Sequence, residues 1–219
     1  LRDPFELPDM EPAVDRVLAA IAGKQRIVIY GDYDVDGVTS SALLYRVLSA
    51  AGATVANFLP HRMDEGYGLS ADGIARCVKE HKPDLLIAVD CGTSSRDEIA
   101  ALKKKGVDVI VLDHHEPPEK LPDCVLVNPK IVGRESPSFG VRAAAGSLDD
   151  RHARPTNTEL ASVGVAFKLA HALLKRDRAL DVDLRDPDTR MTRDELASAL
   201  RRAGVLGPTL TDTIDAGRL

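Results

Sequence analysis

Three apolar runs in this chain end in the same way. Ile27-Val28-Ile29-Tyr30 leads into Gly31-Asp32-Tyr33-Asp34-Val35-Asp36-Gly37, Leu85 to Val89 stops at Asp90, and Val107 to Leu112 stops at Asp113-His114-His115. Runs of unbroken Val, Ile and Leu read as strands buried on both faces, the habit of a parallel sheet covered by helices. In such a sheet every strand ends at the same edge, and ligands bind beyond those carboxyl ends. The acidic and imidazole clusters are therefore expected to converge on one site. Concentrated negative charge there calls for a positive partner, and divalent cations favour carboxylate oxygens.

Helical periodicity fills the gaps between the runs. Residues 9 to 22 read as a helix capped by Asp9, with Val14, Val17, Leu18 and Ile21 on one face. After a strand at Arg26 to Tyr30, Val38 to Ala51 is helical in pattern, and Gly52 suits a left-handed C-cap. Thr54 to Leu59 reads as a strand, His61 to Leu69 as a loop, and Ser70 opens a helix to about Glu80. Ser95 and Glu98 have capping-box spacing for a helix to Lys105, ended by Gly106. A short strand at Cys124 to Val127 closes the series. Residues 131 to 157 read as an irregular loop, Leu160 to Leu174 as a helix, and Thr192 with Glu195 as a capping pair before a short helix ending near Gly204. The expected class is α/β, a parallel sheet with helices on both faces and a helical C-terminal appendage. The expected division is a core at 1–130, an insertion at 131–158 and a linker-like segment at 159–219.

The net charge of −5 over 219 residues gives no global attraction to nucleic acid, so any such contact needs a local basic patch or a bound metal. Cys77, Cys91 and Cys124 show no CxxC spacing and read as free buried thiols in a reducing cytosol, which places the expected site of action in the cytoplasm. No apolar run reaches the roughly 20 residues a membrane helix needs. The opening Leu1-Arg2-Asp3-Pro4 reads as no signal peptide, and without Met the chain is expected to be a fragment.

Asp34 and Asp36 straddle Val35. In an extended loop next-but-one side chains point the same way, so both can face one ion pair, with Gly37 turning the backbone into the helix. The bland alternative is an acidic turn that caps the helix. Asp90 can bridge two ions, which two-metal sites hold about 3.5–4 Å apart, or it can cap a helix near Ser94. In Asp113-His114-His115 one imidazole can ligate metal while its neighbour faces a phosphate and Asp113 orients a ring. Arg62 can grip phosphate and Tyr67 can stack on a base, against the reading of an ordinary loop. Lys103-Lys104-Lys105 reads as a solvated helix end. Lys168 sits on a packing helix with some reach toward a phosphate, and His152 and His171 read as isolated surface or core histidines. The chemistry that these groups suit is hydrolysis at phosphorus.

Together these residues resemble the DHH phosphoesterase superfamily and, within it, the single-stranded-DNA-specific 5′→3′ exonucleases. The matching pieces are Gly31 to Gly37, Arg62 to Ser70, Val89-Asp90-Cys91-Gly92, Leu112 to Glu116, Val125 to Lys130 and the helix Leu160 to Leu174. The resemblance implies a nuclease using two divalent ions, Mn²⁺ or Mg²⁺, in DNA repair and recombination. It implies ligation by Asp34, Asp36, Asp90 and His114, with Asp90 as the bridge and Asp32 as a further candidate. Catalysis would involve His115 facing the scissile phosphate, together with Asp113 and Asp90. Arg62 and Tyr67 would lie along the path of a single-stranded DNA with a 5′ end. Single-strand-binding protein or helicase partners are implied, and no membrane. The family pattern also carries a further aspartate in a strand after the helix at 160 to 174. No run here matches that strand, although Asp181, Asp183, Asp186 and Asp188 lie near, and the family's second domain and OB domain are not found. The rival readings are a small-substrate phosphatase of the same superfamily, acting on oligoribonucleotides, cyclic dinucleotides or pyrophosphate, and a non-catalytic nucleic-acid-binding module.

Overall fold

The computed structural model describes residues 2–60, 68–131 and 159–176. Along them run a 3-10 turn (Pro4–Glu6), α1 (Met10–Ala22), β1 (Arg26–Gly31), α2 (Val35–Ala50), β2 (Thr54–Phe58), α3 (Ala71–His81), β3 (Leu85–Val89), α4 (Arg96–Lys104), β4 (Asp108–Leu112), β5 (Val125–Val127) and α5 (Ser162–Arg176). The five strands pair in parallel in the order β2-β1-β3-β4-β5. Register runs straight across the middle, Ile29 beside Ile87 and Ile87 beside Ile110. The strand order reverses between β1 and β3, so the crevice above those two ends is the sheet's switch point.

Alternation along each strand feeds two cores. Ile27, Ile29, Leu85, Ile87, Val89, Ile110 and Leu112 face α1, α2 and α5, where Val14, Val17, Leu44, Leu48, Val165 and Leu169 meet them. Val28, Tyr30, Leu86, Ala88, Val109 and Val111 face α3 and α4, where Ile74, Cys77, Ile99 and Leu102 pack. Both faces of the sheet are therefore covered by helices, as the unbroken apolar runs require. Each fully buried Leu or Ile contributes about 1.5–3 kcal/mol relative to exposure. The core is aliphatic, in keeping with 4% aromatic residues and no Trp. All three cysteines are free and buried. Among the described residues no helix is long and apolar enough to cross a membrane.

Several local expectations hold. Ser70 caps α3 by accepting the Gly73 N–H, and Gly52 takes the left-handed φ of +78° just past α2. Lys103 and Lys104 form the last turn of α4, with Lys103 paired to Asp123. Others fail. Asp9 is left-handed (φ 56°) and makes no side-chain cap to α1. Its Oδ2 instead accepts the Leu126 N–H at 2.9 Å, giving an amide of the outermost strand a partner. Ser95 also makes no side-chain cap to α4. Lys168 stays on a packing helix, as expected, where its Nζ donates to the Arg2 carbonyl at 2.5 Å and ties α5 to the N-terminal segment. Arg62, Tyr67, His152, the four aspartates from 181 to 188, the helix at 192 to 204 and nearly all of the 131–157 loop lie outside the described residues.

Candidate metal centre at the strand ends

The turn after β1 begins with Asp32, which is buried and accepts the Tyr33 N–H on Oδ1 at 2.7 Å. Asp34 follows as the N-cap of α2, its Oδ1 accepting the Gly37 N–H at 2.9 Å, and Asp36 lies in the first helical turn. The pair therefore does not occupy an extended loop. The helix starts three residues sooner than its periodicity suggests, because an N-cap aspartate and a first-turn acid both favour that end. Gly37 has a different purpose from the expected sharp turn. A Cβ there would lie 2.4 Å from the Asp32 carbonyl oxygen and 2.6 Å from its nitrogen, so only glycine lets the helix seat against the strand end.

Asp90 follows β3 in left-handed backbone, φ 61°, a region where aspartate is tolerated better than most residues. Its N–H still donates to the Leu112 carbonyl at 3.0 Å, extending the ladder with β4 by one residue. The carboxyl is almost wholly buried, 1% exposed, and does not cap a helix, since α4 starts only at Arg96. Asp90 Oδ1 accepts the Ser162 hydroxyl at 2.6 Å and faces His114 Nε2 at 3.4 Å. The Asp34 and Asp90 carboxyls come into contact, and the contact lowers the first and raises the second.

After β4, Asp113 organises the histidine pair. Its Oδ1 accepts the His114 N–H at 2.7 Å, the His115 N–H at 3.2 Å and His115 Nδ1 at 2.7 Å, while Oδ2 accepts the Thr93 N–H at 3.0 Å. With Nδ1 committed, Nε2 is the His115 nitrogen left to act. Buried Asn128, just past β5, braces the same loop by donating to the His115 carbonyl at 2.9 Å and to Thr93 Oγ1 at 3.2 Å. The two imidazole rings lie 4.8 Å apart, centre to centre. Asp90, His114 and His115 each offer a ligand atom, and these atoms all lie within 4.8 Å of one another. Beside them opens a cavity of about 530 Å³, lined by His114, Glu116, Lys130, Glu159 and Leu160.

Electrostatics separate the two touching acids. Burial pushes the Asp90 carboxyl up to about 7; contact with Asp34 and the charge of Asp36 add to the rise, and the Ser162 hydroxyl opposes it. The Gly37 N–H holds Asp34 below the ordinary carboxylate range against the effect of burial. Burial also works to raise Asp113, but the bonds from Thr93 and His115 outweigh it and hold that carboxyl low. Burial works to lower His115, and its Asp113 partner outweighs this and raises it. Acids held this close at the switch point repel one another, and a cation would relieve that repulsion. Oxygen and imidazole donors in this cluster suit a hard or borderline divalent ion, and Asp34, Asp36, Asp90 and His114 could hold one.

Of the residues singled out in the sequence, the structure brings Asp90, His114 and His115 within reach of one another and sets Asp34 beside Asp90, supported by Asp113. Asp36 is near enough to act on the charge of Asp90. Asp32 is buried in the turn beneath Gly37. Ser162, Thr93 and Asn128 were not anticipated individually. Asn128 and Ser162 had one signal each, their places in the runs Val125 to Lys130 and Leu160 to Leu174; nothing else marked Ser162, a small polar residue at the start of an apolar helix.

An open parallel sheet with carboxylates and imidazoles gathered at its switch point defines an α/β protein with a candidate metal centre at its strand ends. Residues 26–200 match the model of the DHH family, N-terminal domain, and the chain belongs to that family. It is 42% identical over 183 residues to the single-stranded-DNA-specific exonuclease RecJ of Bacillus subtilis, a match covering 82% of this chain and 21% of that protein. To the exonuclease of the same name from Haemophilus influenzae it is 38% identical over 182 residues, 82% of this chain and 28% of the relative. Among solved structures, exonuclease RecJ bound to manganese superposes with a TM-score of 0.61 at 34% identity, covering 78% of this chain and 38% of that one. RecJ from Thermus thermophilus in complex with Mn²⁺ gives 0.58 at 29% identity, over 78% and 21%. The chain thus spans well under half the length of these relatives.

Proposed function

We propose that this chain carries the metal-binding half of a single-stranded-DNA exonuclease of the RecJ kind, hydrolysing phosphodiesters from a 5′ end. The observation that carries this reading is the pair of touching acids, Asp34 and Asp90, with His114 beside them at the switch point. Two divalent ions, Mn²⁺ or Mg²⁺, would be held by Asp34, Asp36, Asp90 and His114, with Asp32 as a further donor. Such ions supply charge compensation for the phosphate and acidify the attacking water.

The chain's own residues do the rest. Asp90, reached from both β1 and β4 ends, would be shared between the ions. Asp113 fixes the ring of His115 and raises its proton affinity, so that Nε2 can donate to a phosphoryl oxygen as charge builds there. The cavity beside His114 gives room for a nucleotide, and Arg62 and Tyr67 belong to the same proposal as strand contacts. A core at 1–130, cytoplasmic action, and partners that expose 5′-ended single strands (helicases and single-strand-binding proteins) complete it.

The test is release of labelled mononucleotides from 5′-labelled single-stranded DNA in Mn²⁺, set beside cleavage of dinucleotides. Metal-dependent release from the long strand, lost in Asp90→Ala, is expected. Undiminished hydrolysis by Asp90→Ala would overturn the two-ion account, and cleavage confined to dinucleotides would favour a small-substrate phosphatase instead.

A further inference from the structure

Asp90 is approached from three sides, by Asp34 at the start of α2, by His114 after β4, and by Ser162 at the start of α5. The third contact spans 72 positions of sequence and belongs to no acidic or imidazole motif. Ser162 is fully buried, and its hydroxyl donates to Asp90 Oδ1 at 2.6 Å, in the short range of charge-assisted O–H···O⁻ bonds. The oxygen it engages is the one that also faces His114.

A carboxylate shared between ligands must keep its plane fixed. The terminal torsion of aspartate is broad and roughly two-fold, so the left-handed backbone at Asp90 places the side chain without fixing that plane. A rigid donor on one oxygen does fix it. Ser162 is rigid because α5 is clamped: Val165, Ala166, Leu169, Ala172 and Leu173 are buried in the core shared with α1 and α2. Resting on the metal-dependent reading above, we infer that Ser162 is a positioning residue whose hydroxyl sets the plane of the Asp90 carboxylate for binding divalent cations. It makes α5, distant in sequence from Asp34, Asp90 and His114, a working wall of the metal centre.

The test uses the full chain, stripped of metal and titrated with Mn²⁺ by calorimetry and by electron paramagnetic resonance. Partners that orient metal ligands typically alter affinity 10–100-fold, and S162A is expected to bind Mn²⁺ about 10-fold or more weakly. Its spectrum should move from a spin-coupled pair toward isolated Mn²⁺. L169V, which trims the buried face of α5 without touching Asp90, is expected to keep wild-type affinity and spectrum. S162A binding as tightly as wild type overturns the inference, and so does an equal loss in L169V, which would reduce Ser162 to a packing role. Wild-type protein that takes up no Mn²⁺ overturns the metal reading together with this one; uptake by wild type with no change in S162A overturns this one alone.

Discussion

Replacing Asp90 with Asn should stabilise the metal-free protein while removing its response to metal. Burial and the neighbouring acids raise the Asp90 carboxyl from 3.8 to about 7 in the folded chain. A group that binds its proton more tightly when folded gives up stability as pH rises between those two values. Its contribution is complete below about pH 4 and lost above about pH 7. Roughly three pK units at 1.36 kcal/mol each set the full penalty at about 4 kcal/mol. Asn is the neutral isostere: its Oδ1 can still accept the Ser162 hydroxyl, and its amide can donate toward Asp34. D90N should therefore gain up to about 4 kcal/mol over wild type at pH 8, shrinking to about 2 kcal/mol at pH 5, where most folded molecules already hold the proton. In a domain of this size that corresponds to a Tm difference of roughly 8–16 °C at pH 8 and about half that at pH 5. The assay is thermal denaturation of EDTA-treated protein at both pH values, repeated with Mn²⁺. With Mn²⁺ at about 100 times its Kd the difference at pH 8 should shrink by about 2.7 kcal/mol, because only wild type gains. A Tm difference that stays constant between pH 5 and 8, or D90N melting below wild type at pH 8 without metal, would refute the account of the touching acids.

Gly37→Ala should cost about 1–3 kcal/mol or more by urea unfolding, because its Cβ would fall 2.4 Å from the Asp32 carbonyl oxygen; wild-type stability would show that α2 does not seat there. Asp113→Asn should shift the His115 titration, followed by NMR, to lower pH, since the carboxylate that raises it is gone; an unmoved His115 would remove Asp113 from its supporting role. Saturating Mn²⁺ at about 100 times its Kd should add about 2.7 kcal/mol to wild-type stability. That gain should fall as pH drops below about 7, because protons compete for Asp90; a pH-independent gain would place the ion elsewhere.

Much of this architecture was legible because it obeys one rule repeated in three apolar runs. Unbroken runs such as Leu85 to Val89 fit only a strand covered on both faces, and their order forces the ends to one edge. The acids were legible for the same reason: carboxylates directly after buried strands have little structural excuse. Local geometry was less legible. Asp34 and Asp36 read equally well as an extended pair or as a helix start, and the difference turned on Gly37, whose glycine serves close approach to Asp32 rather than backbone freedom. Asp9 has the composition of a helix cap, yet a partner 117 positions away, the Leu126 amide, claims its carboxyl. Such choices depend on tertiary neighbours that no window of sequence contains.

The same limit explains why Ser162 escaped notice while Asp90 did not. Charge must be explained wherever it is buried, so an acid after a strand announces itself. A serine at a helix start is ordinary at any site and gives no sign of what it faces. Yet burial raises the Asp90 carboxyl and the Ser162 hydroxyl counters that rise, so the two form one unit assembled from well-separated parts of the described chain. Asp90 sits in left-handed backbone between a like-charged neighbour and an imidazole, an arrangement that a folding core alone would not retain. Its neighbours supply one hydroxyl and one ring where a carboxylate in water would have solvent. An ion that takes the place of the Asp90 proton would relieve the repulsion with Asp34 and leave the Ser162 bond intact, which makes the metal-free form costly at neutral pH and poised to bind.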